Sequence, residues 1–322
     1  GGGMAVSYHR RILIDPMDVE APALVKIGSG GTPGYYMYHG GTNPDGKRTS
    51  LQESQETGMP NDLPEKTYDF QAPLGEFGQV RPHFHSLRLP HLFLREFGEQ
   101  FAGMTPRFPD KQPTGKNDTQ TLRWAVRSDG EGGALFVNNY MRAREMQAHE
   151  ETQFRIKLAS REVVVPREPT TIPADSVFFW PLNFDLGGVK LLHATAQPIC
   201  RVEADGKTFT FFAETKGVPA EFAFDTDVTT TGAKTQRDGL TIVKGKSGTG
   251  AALEVRKHVL VLLNSETARD CYKATWQGKE RVFLSSAVVV PDGDSLRLLA
   301  NNTETPATCL PGSVTGCMSD ST

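Results

Sequence analysis

"TLRWAVRSDGEGGALFVNNY", Thr121 to Tyr140, decides the fold class of most of this chain. Leu122, Trp124 and Val126 alternate with Arg123, Ala125 and Arg127, the period of two that lays one side of a strand on a core. "DGEGG" at 129–133 then supplies turn residues, and the apolar run "ALFVNNY" follows. The spacing predicts two strands joined by a turn.

The same grammar repeats toward the C-terminus. Phe154, Ile156 and Leu158 alternate with Gln153, Arg155 and Lys157. "RVEADGKTFTFF" (201–212) predicts a tight hairpin with Asp205-Gly206 at its turn. Further strands are predicted at 163–165, 177–180, 189–195, 222–224, 240–243, 252–255, 258–263, 282–290 and 296–299. Short strands separated by turn residues are the pattern of an all-β sandwich or jelly roll. No repeat of fixed period and no low-complexity tract interrupts it.

The first 100 residues read differently. Asp15-Pro16 has the form of a helix cap followed by Pro at the first helical position. Val19, Ala23, Leu24 and Ile27 fall on one helical face, with Pro22 inside, and Gly28-Ser29-Gly30-Gly31 ends the segment. A strand is expected at 35–38 and a second helix over 76–98, with Phe84, Leu87, Leu94 and Phe97 inward and a kink at Pro90. "FGEQFAGMTPRFPDKQPTGKND" (97–118) carries Pro and Gly and reads as a connection. The expected organisation is an α/β region at 1–100, a linker at 101–118, a β-sandwich domain at 119–264, and a further β segment at 265–322. Residues beyond about 305 are expected to lie outside the core.

Composition limits the partners. The chain of 322 residues has a formal net charge of -3 and no long basic run, which argues against nucleic acid. No stretch approaches the length of a membrane-spanning apolar helix. Cys200, Cys271, Cys309 and Cys317 lack the close paired spacing of a zinc site, and two buried and two tail thiols are expected.

Several motifs have bland readings. In "KGKSGTG" (244–250), Gly239 and Gly245 are separated by five residues where a phosphate loop needs four, and a turn between two strands fits better. His83 and His85 diverge by about 200° on a helix, so they and His91 do not form the one-faced ligand pair of a metal helix. Glu53, Glu56, Asp62, Glu65, Asp69 and Glu76 match the composition of a polar loop. That loop, 43–67, is long enough to suggest a functional role. Tyr35, Tyr36, Tyr38, Tyr68 and Phe70 crowd beside it. Aromatic faces next to polar groups suit a sugar ring, and ordinary strand burial accounts for them equally.

"YYMYHGGTN" (35–43) followed by "TYDFQAPLGEFG" (67–78) resembles the retaining β-galactosidases of glycoside hydrolase family 35. The likeness is strongest over residues 1–100 and looser in the β region, where "FAETKGVPAEFAFD" (212–225) looks like the β domains of large bacterial members. The resemblance implies a fold: the C-terminal end of a (β/α)8 barrel, with "YYMY" as its last strand and "HGGTN" at its mouth, followed by all-β sandwich or jelly-roll domains. It implies an activity, hydrolysis of terminal β-D-galactosides without a metal or other cofactor, and a β-galactoside as partner. By motif position Tyr36 lines the galactose site. Phe70 falls where the family usually has a second sugar-contacting tyrosine, and Gln71 where an aspartate is common. Tyr36 and Tyr38 are expected on one side of the strand and Tyr35 on the other.

The family's two glutamates have no counterpart in the matched motifs. "GGGM" at the start resembles the segment that follows the nucleophile, so the nucleophile is expected just upstream of Gly1. No catalytic residue is assigned within this chain, which is expected to be inactive alone as part of a bacterial enzyme. The family implies a periplasmic or extracellular location. A non-catalytic, lectin-like sugar-binding protein is the alternative.

Overall fold

A computed structural model describes residues 13–44, 67–225, 228–230, 233–248, 252–300 and 307–311. It is mostly β-strand with few helices, consistent with β-sandwich domains. The chain forms two compact units. The first comprises Gly1–Ala23 and Thr32–Arg88, the second Leu24–Gly31 and Leu89–Thr322.

Among the described residues the helices are α1 (Met17–Gly28), α2 (Pro82–Ala102) and α3 (Ser265–Arg269). Asp15 Oδ1 accepts the Met17 N–H at 2.8 Å, as the cap reading requires. Ala23, Leu24 and Ile27 are buried on α1. α2 begins at Pro82, later than the expected residue 76, because the preceding residues close turns of their own. Gly75 N–H donates to the Gln79 carbonyl at 2.8 Å and Gly78 N–H to that of Gly75 at 2.9 Å. Pro at a helix start gives up only a donor that has no partner there. Leu87 and Phe97 are fully buried, while Phe84 and Leu94 are half-buried.

An eight-stranded antiparallel sheet dominates the second unit. Across it run Lys234–Arg237, Leu240–Lys244, Glu221–Phe224, Lys190–Ala194, Ser176–Asp185, Gly133–Asn139, Arg123–Ser128 and Thr105–Arg107. A five-stranded sheet runs Ala196–Ala204, Lys207–Glu214, His258–Leu263, Ala252–Val255 and Thr229–Thr230, with one parallel pairing, Lys207–Glu214 to His258–Leu263. One core joins the two sheets. Phe136, Phe179, Leu191 and Phe222 of the first pack with Phe212, Leu253, Leu260 and Leu262 of the second. Phe93, Phe97 and Phe101 of α2 belong to the same cluster.

Each sheet is covered on its other face as well. Leu135, Val137, Phe178 and Trp180 pack with Phe154, Ile156, Val163 and Val165 of the hairpin His149–Lys157/Glu162–Ile172. The Trp180 indole N–H, buried there, donates to Thr215 Oγ1 at 2.9 Å. On the five-stranded sheet, Cys200, Val202, Phe211 and Val261 meet Cys271, Val282 and Leu284 of a three-stranded sheet. The strands of that sheet are Cys271–Trp276, Lys279–Ser285 and Ala307–Leu310.

Most predicted strands are present, including the 201–212 hairpin, where Asp205 and Gly206 both have positive φ. Five readings need correction. Thr105–Arg107, inside the segment read as a linker, is the edge strand of the large sheet. The turn read at 244–250 joins no hairpin: Leu240–Lys244 lies in the eight-stranded sheet and Ala252–Val255 in the five-stranded one. The run 282–290 is two strands, Lys279–Ser285 and Val288–Asp292. Ala307–Leu310 pairs with Lys279–Ser285 and buries Cys309, so the core extends past residue 305 and a third thiol is buried. Cys271–Trp276 was not predicted as a strand at all, because Lys273, Thr275 and a neighbouring Asp270 dilute its apolar pattern.

The Phe93 ring lies 4.5 Å from that of Phe179, 5.1 Å from Phe101 and 5.6 Å from Phe97. Phe93→Ala should cost about 3–5 kcal/mol, the range for emptying a buried aromatic site. Urea unfolding followed by tryptophan fluorescence reads it as a lower midpoint at unchanged slope.

Candidate functional site

The two motifs at 35–43 and 67–78 form one interlocked backbone structure in the first unit. Gly41 and Thr42 pair antiparallel with Tyr68 and Thr67. His39 bridges Leu74 in parallel sense, with Gly40 N–H donating to the Leu74 carbonyl at 2.8 Å and Leu74 N–H to that of Tyr38 at 3.0 Å. The expected strand at 35–38 is absent. Tyr36 and Tyr38 sit at bends, and regular pairing starts only at His39.

Without a strand, side chains do not alternate. Tyr35 and Tyr38, expected on opposite sides, meet with ring centroids 5.5 Å apart, and Tyr38 packs 6.4 Å from Phe84. Burial, then the Tyr38 phenol, pushes the Tyr35 pKa up to about 12. Burial also raises that of Tyr38, against a smaller opposing pull from Arg88. Tyr36 points elsewhere and is 68% exposed. Its hydroxyl hydrogen-bonds that of Tyr68, whose ring stands edge-on at 6.4 Å. Tyr68 in turn meets Phe70 edge-on at 4.7 Å. Tyr36, Tyr68 and Phe70 therefore form a row running from solvent to core. Phe70, at 8% exposure, is its buried end. Tyr68, counted in the sequence only as one of the aromatics crowding the loop, is the middle member. Its place two residues before Phe70 was the available signal.

Asp69 organises the turn between them. Arg81 nitrogens lie 3.0 Å from each carboxylate oxygen, and Glu76 N–H donates to Oδ2 at 2.8 Å. Burial raises the Asp69 pKa, but Arg81 and the backbone N–H groups outweigh it and hold the carboxyl below its usual range. Ala72 N–H closes the turn onto the Asp69 carbonyl at 3.1 Å. Phe70 and Gln71 inside that turn have φ of 50° and 53°, a left-handed conformation that costs non-glycine residues energy. Gln71 is tied at both ends: its Oε1 accepts the Ile14 N–H at 3.1 Å, and its carbonyl accepts from His83 Nε2 at 2.9 Å. The buried His83 is thus a backbone cap, and burial lowers its pKa. Nearby, Thr42 Oγ1 donates to Glu76 Oε1, and His39 Nδ1 to the Gly40 carbonyl. Glu53, Glu56, Asp62 and Glu65 lie outside the described residues.

Of the Gly pair, only Gly40 serves packing. A Cβ on Gly40 would stand 2.7 Å from Glu76 N and 3.0 Å from the Gly75 carbonyl carbon, whereas one on Gly41 meets nothing. Among the described residues no three His, Cys, Asp or Glu side chains converge as a metal site would require, and no helix is long and apolar enough to cross a membrane. No protein-family profile matches the sequence, and a search of curated proteins found no match.

Two outcomes follow from this geometry. Gly40→Ala should destabilise the clasp by about 2 kcal/mol or more, because backbone cannot retreat from the new methyl, while Gly41→Ala should be near neutral. Hydrogen exchange at the Gly40 and Leu74 amides distinguishes them. The Asp69 ion pair has a depressed folded pKa, so its contribution is full above the unfolded value of about 4 and is lost as pH falls through the folded one. Asp69→Asn should lower stability at neutral pH and shrink the loss on acidification, read by thermal melts from pH 7 to pH 2.

Proposed function

We propose that this chain is the sugar-pocket portion and accessory β region of a retaining β-galactosidase of the glycoside hydrolase family 35 type. One observation carries the reading. The two motifs that resemble the family, apart in sequence, clasp each other through backbone pairing and leave Tyr36 exposed at the end of the Tyr36–Tyr68–Phe70 row. A tyrosine held at its hydroxyl by a second tyrosine has a fixed ring face for a sugar and a polar edge for its hydroxyls.

In this reading, residues 35–43 and 67–78 belong to the C-terminal end of a (β/α)8 barrel, at the mouth where barrel active sites are built. Tyr36 contacts the galactose. Phe70 sets the position of Tyr68 from below, and Asp69, pinned by Arg81, holds the strained turn that presents both. The acid/base and nucleophile are glutamates of the complete enzyme, placed about 5 Å apart as retention demands. The substrate is a terminal β-D-galactoside of an oligo- or polysaccharide, and the reaction goes through a galactosyl-enzyme intermediate. A periplasmic or extracellular location accompanies the family.

Hydrolysis of lactose by the full-length gene product tests the reading, and binding without turnover would favour a lectin-like protein instead. Tyr36→Phe keeps the ring and removes one hydrogen bond, of about 0.5–1.5 kcal/mol if neutral and ~3 kcal/mol if it reaches a charged oxygen. The expected loss is about two- to hundred-fold in kcat/KM with little change in Tm. Tyr35→Phe, in the half-buried pair with Tyr38, should leave kcat/KM nearly unchanged. A larger catalytic loss at Tyr35 than at Tyr36 would refute the assignment.

A further inference from the structure

The second unit contains a cavity of about 190 Å³ that the galactosidase reading does not use. It lies between the C-terminal half of α1, the loop at 108–113 and the strands Arg123–Ser128 and Gly133–Asn139. Leu24, Phe108 and Phe136 supply apolar wall, and Lys111, Arg123 and Asn138 the polar part. We propose that this cavity binds a small aromatic monocarboxylate, with the ring against Phe108, Leu24 and Phe136 and the carboxylate at Arg123 and Lys111. The proposal does not depend on the function of the first unit.

Three observations choose the ligand. First, two of the large apolar side chains left exposed by the fold, Phe108 at 56% and Val25 at 41%, both line this one cavity. Uncovered apolar groups gathered round a concavity are the usual surroundings of an apolar ligand. Second, the volume is close to what a single six-membered ring needs: a cavity of roughly 150 Å³ holds benzene. Third, the charged lining residues are both cationic, Lys111 and Arg123, and none is acidic.

Arg123 makes the third point sharper. Its Nη2 donates to the Asp118 carbonyl at 2.6 Å, but its Nη1 is buried without any hydrogen-bond partner. The Asp118 carboxylate cannot serve, because it is already engaged by the Thr114, Gln120 and Thr121 N–H groups and the Thr121 hydroxyl. A buried guanidinium nitrogen with no acceptor is costly, and because Arg123 lines the cavity, a turn of its side chain lets that nitrogen meet a ligand carboxylate in a charge-assisted bond. Lys111, exposed on the 108–113 loop, adds a second cation at the rim. Asn138 spends its Oδ1 on the Tyr140 N–H at 3.0 Å, which leaves its amide nitrogen as a further donor. Cationic donors and ring-sized apolar space in one cavity describe an aryl carboxylate better than a neutral sugar.

The test is titration of the intact chain with benzoate, followed by calorimetry and by the chemical shifts of the Arg123 side-chain N–H groups. Saturable binding with Kd of order 1 mM or tighter is expected for so small a ligand. Benzyl alcohol, with the ring and no charge, should bind at least tenfold more weakly, and acetate, with the charge and no ring, should not saturate. Lys111→Glu and Phe108→Ala alter exposed side chains, so Tm should hold while each weakens benzoate binding severalfold. The proposal is overturned by absence of saturation with benzoate, by equal affinity for benzyl alcohol, or by benzoate binding that neither substitution changes.

Discussion

The central strands of the large sheet are buried on both faces, and the arrangement of the second unit follows from that constraint. In Gly133–Asn139 and Ser176–Asp185, neighbouring residues point to opposite sides, yet most are buried, on both sides. Phe136 and Phe179 stack with centroids 5.4 Å apart on one side, while Phe178 and Trp180 stack at 4.6 Å on the other. Such strands cannot face water anywhere. They require a second sheet and α2 on one side and the 149–172 hairpin on the other. The layers are thus a consequence of two aromatic-rich strands with no polar face.

α2 is held by charge as well as by apolar contact. Glu96 accepts from Arg201 Nε at 2.8 Å and from Lys273 Nζ at 2.6 Å, so one carboxylate ties the helix to a strand of the five-stranded sheet and to the three-stranded layer beyond it. Burial works against the Lys273 charge, but Glu96 and Glu280 outweigh it and raise its pKa. Breaking one member leaves a buried ion without its counter-charge, which is a greater cost than the pair is worth in net stability. The apolar seam therefore supplies most of the attachment, and the ion pairs fix which way the helix faces.

What was legible in the sequence follows the same physics. Strands with one wet face, such as Phe154–Leu158, announced themselves by alternation. Central strands appeared as apolar runs bounded by turns, and Asp205-Gly206 marked its hairpin because both residues must take positive φ. The sequence could not say which sheet a strand joins. Leu240–Lys244 and Ala252–Val255 look like hairpin partners, but each finds a better-packed neighbour in a different layer. The error at 35–38 has another source. Aromatic and apolar residues in a row read as a strand by propensity, but among the described residues no partner strand reaches them, and the segments flanking the Asp69–Ala72 turn capture the chain only from His39 onward. Tyr36 and Phe70 were singled out by motif position. Their relation through Tyr68 was not, since it depends on that turn's left-handed residues.

The carboxylates sort by environment in a way that bears on chemistry. A general acid in a glycosidase needs its pKa raised, by burial or by a like charge, so that it holds a proton at neutral pH. Asp69 is placed the opposite way, ionised by Arg81 and backbone donors. Glu221, deep in the large sheet, is similar. Burial raises its pKa, but His193 at 2.9 Å, the Arg167 N–H at 2.7 Å and Lys244 at 3.3 Å bring it below the usual value. Both groups are committed to bracing the fold, and neither has a proton to give. Glu76, whose Oε1 accepts from Thr42, has neither the arginine partner of Asp69 nor the burial of Glu221. A hydrogen bond from a sugar hydroxyl is within its chemistry, since an ionised carboxylate offers more acceptor sites than Thr42 and the backbone take up.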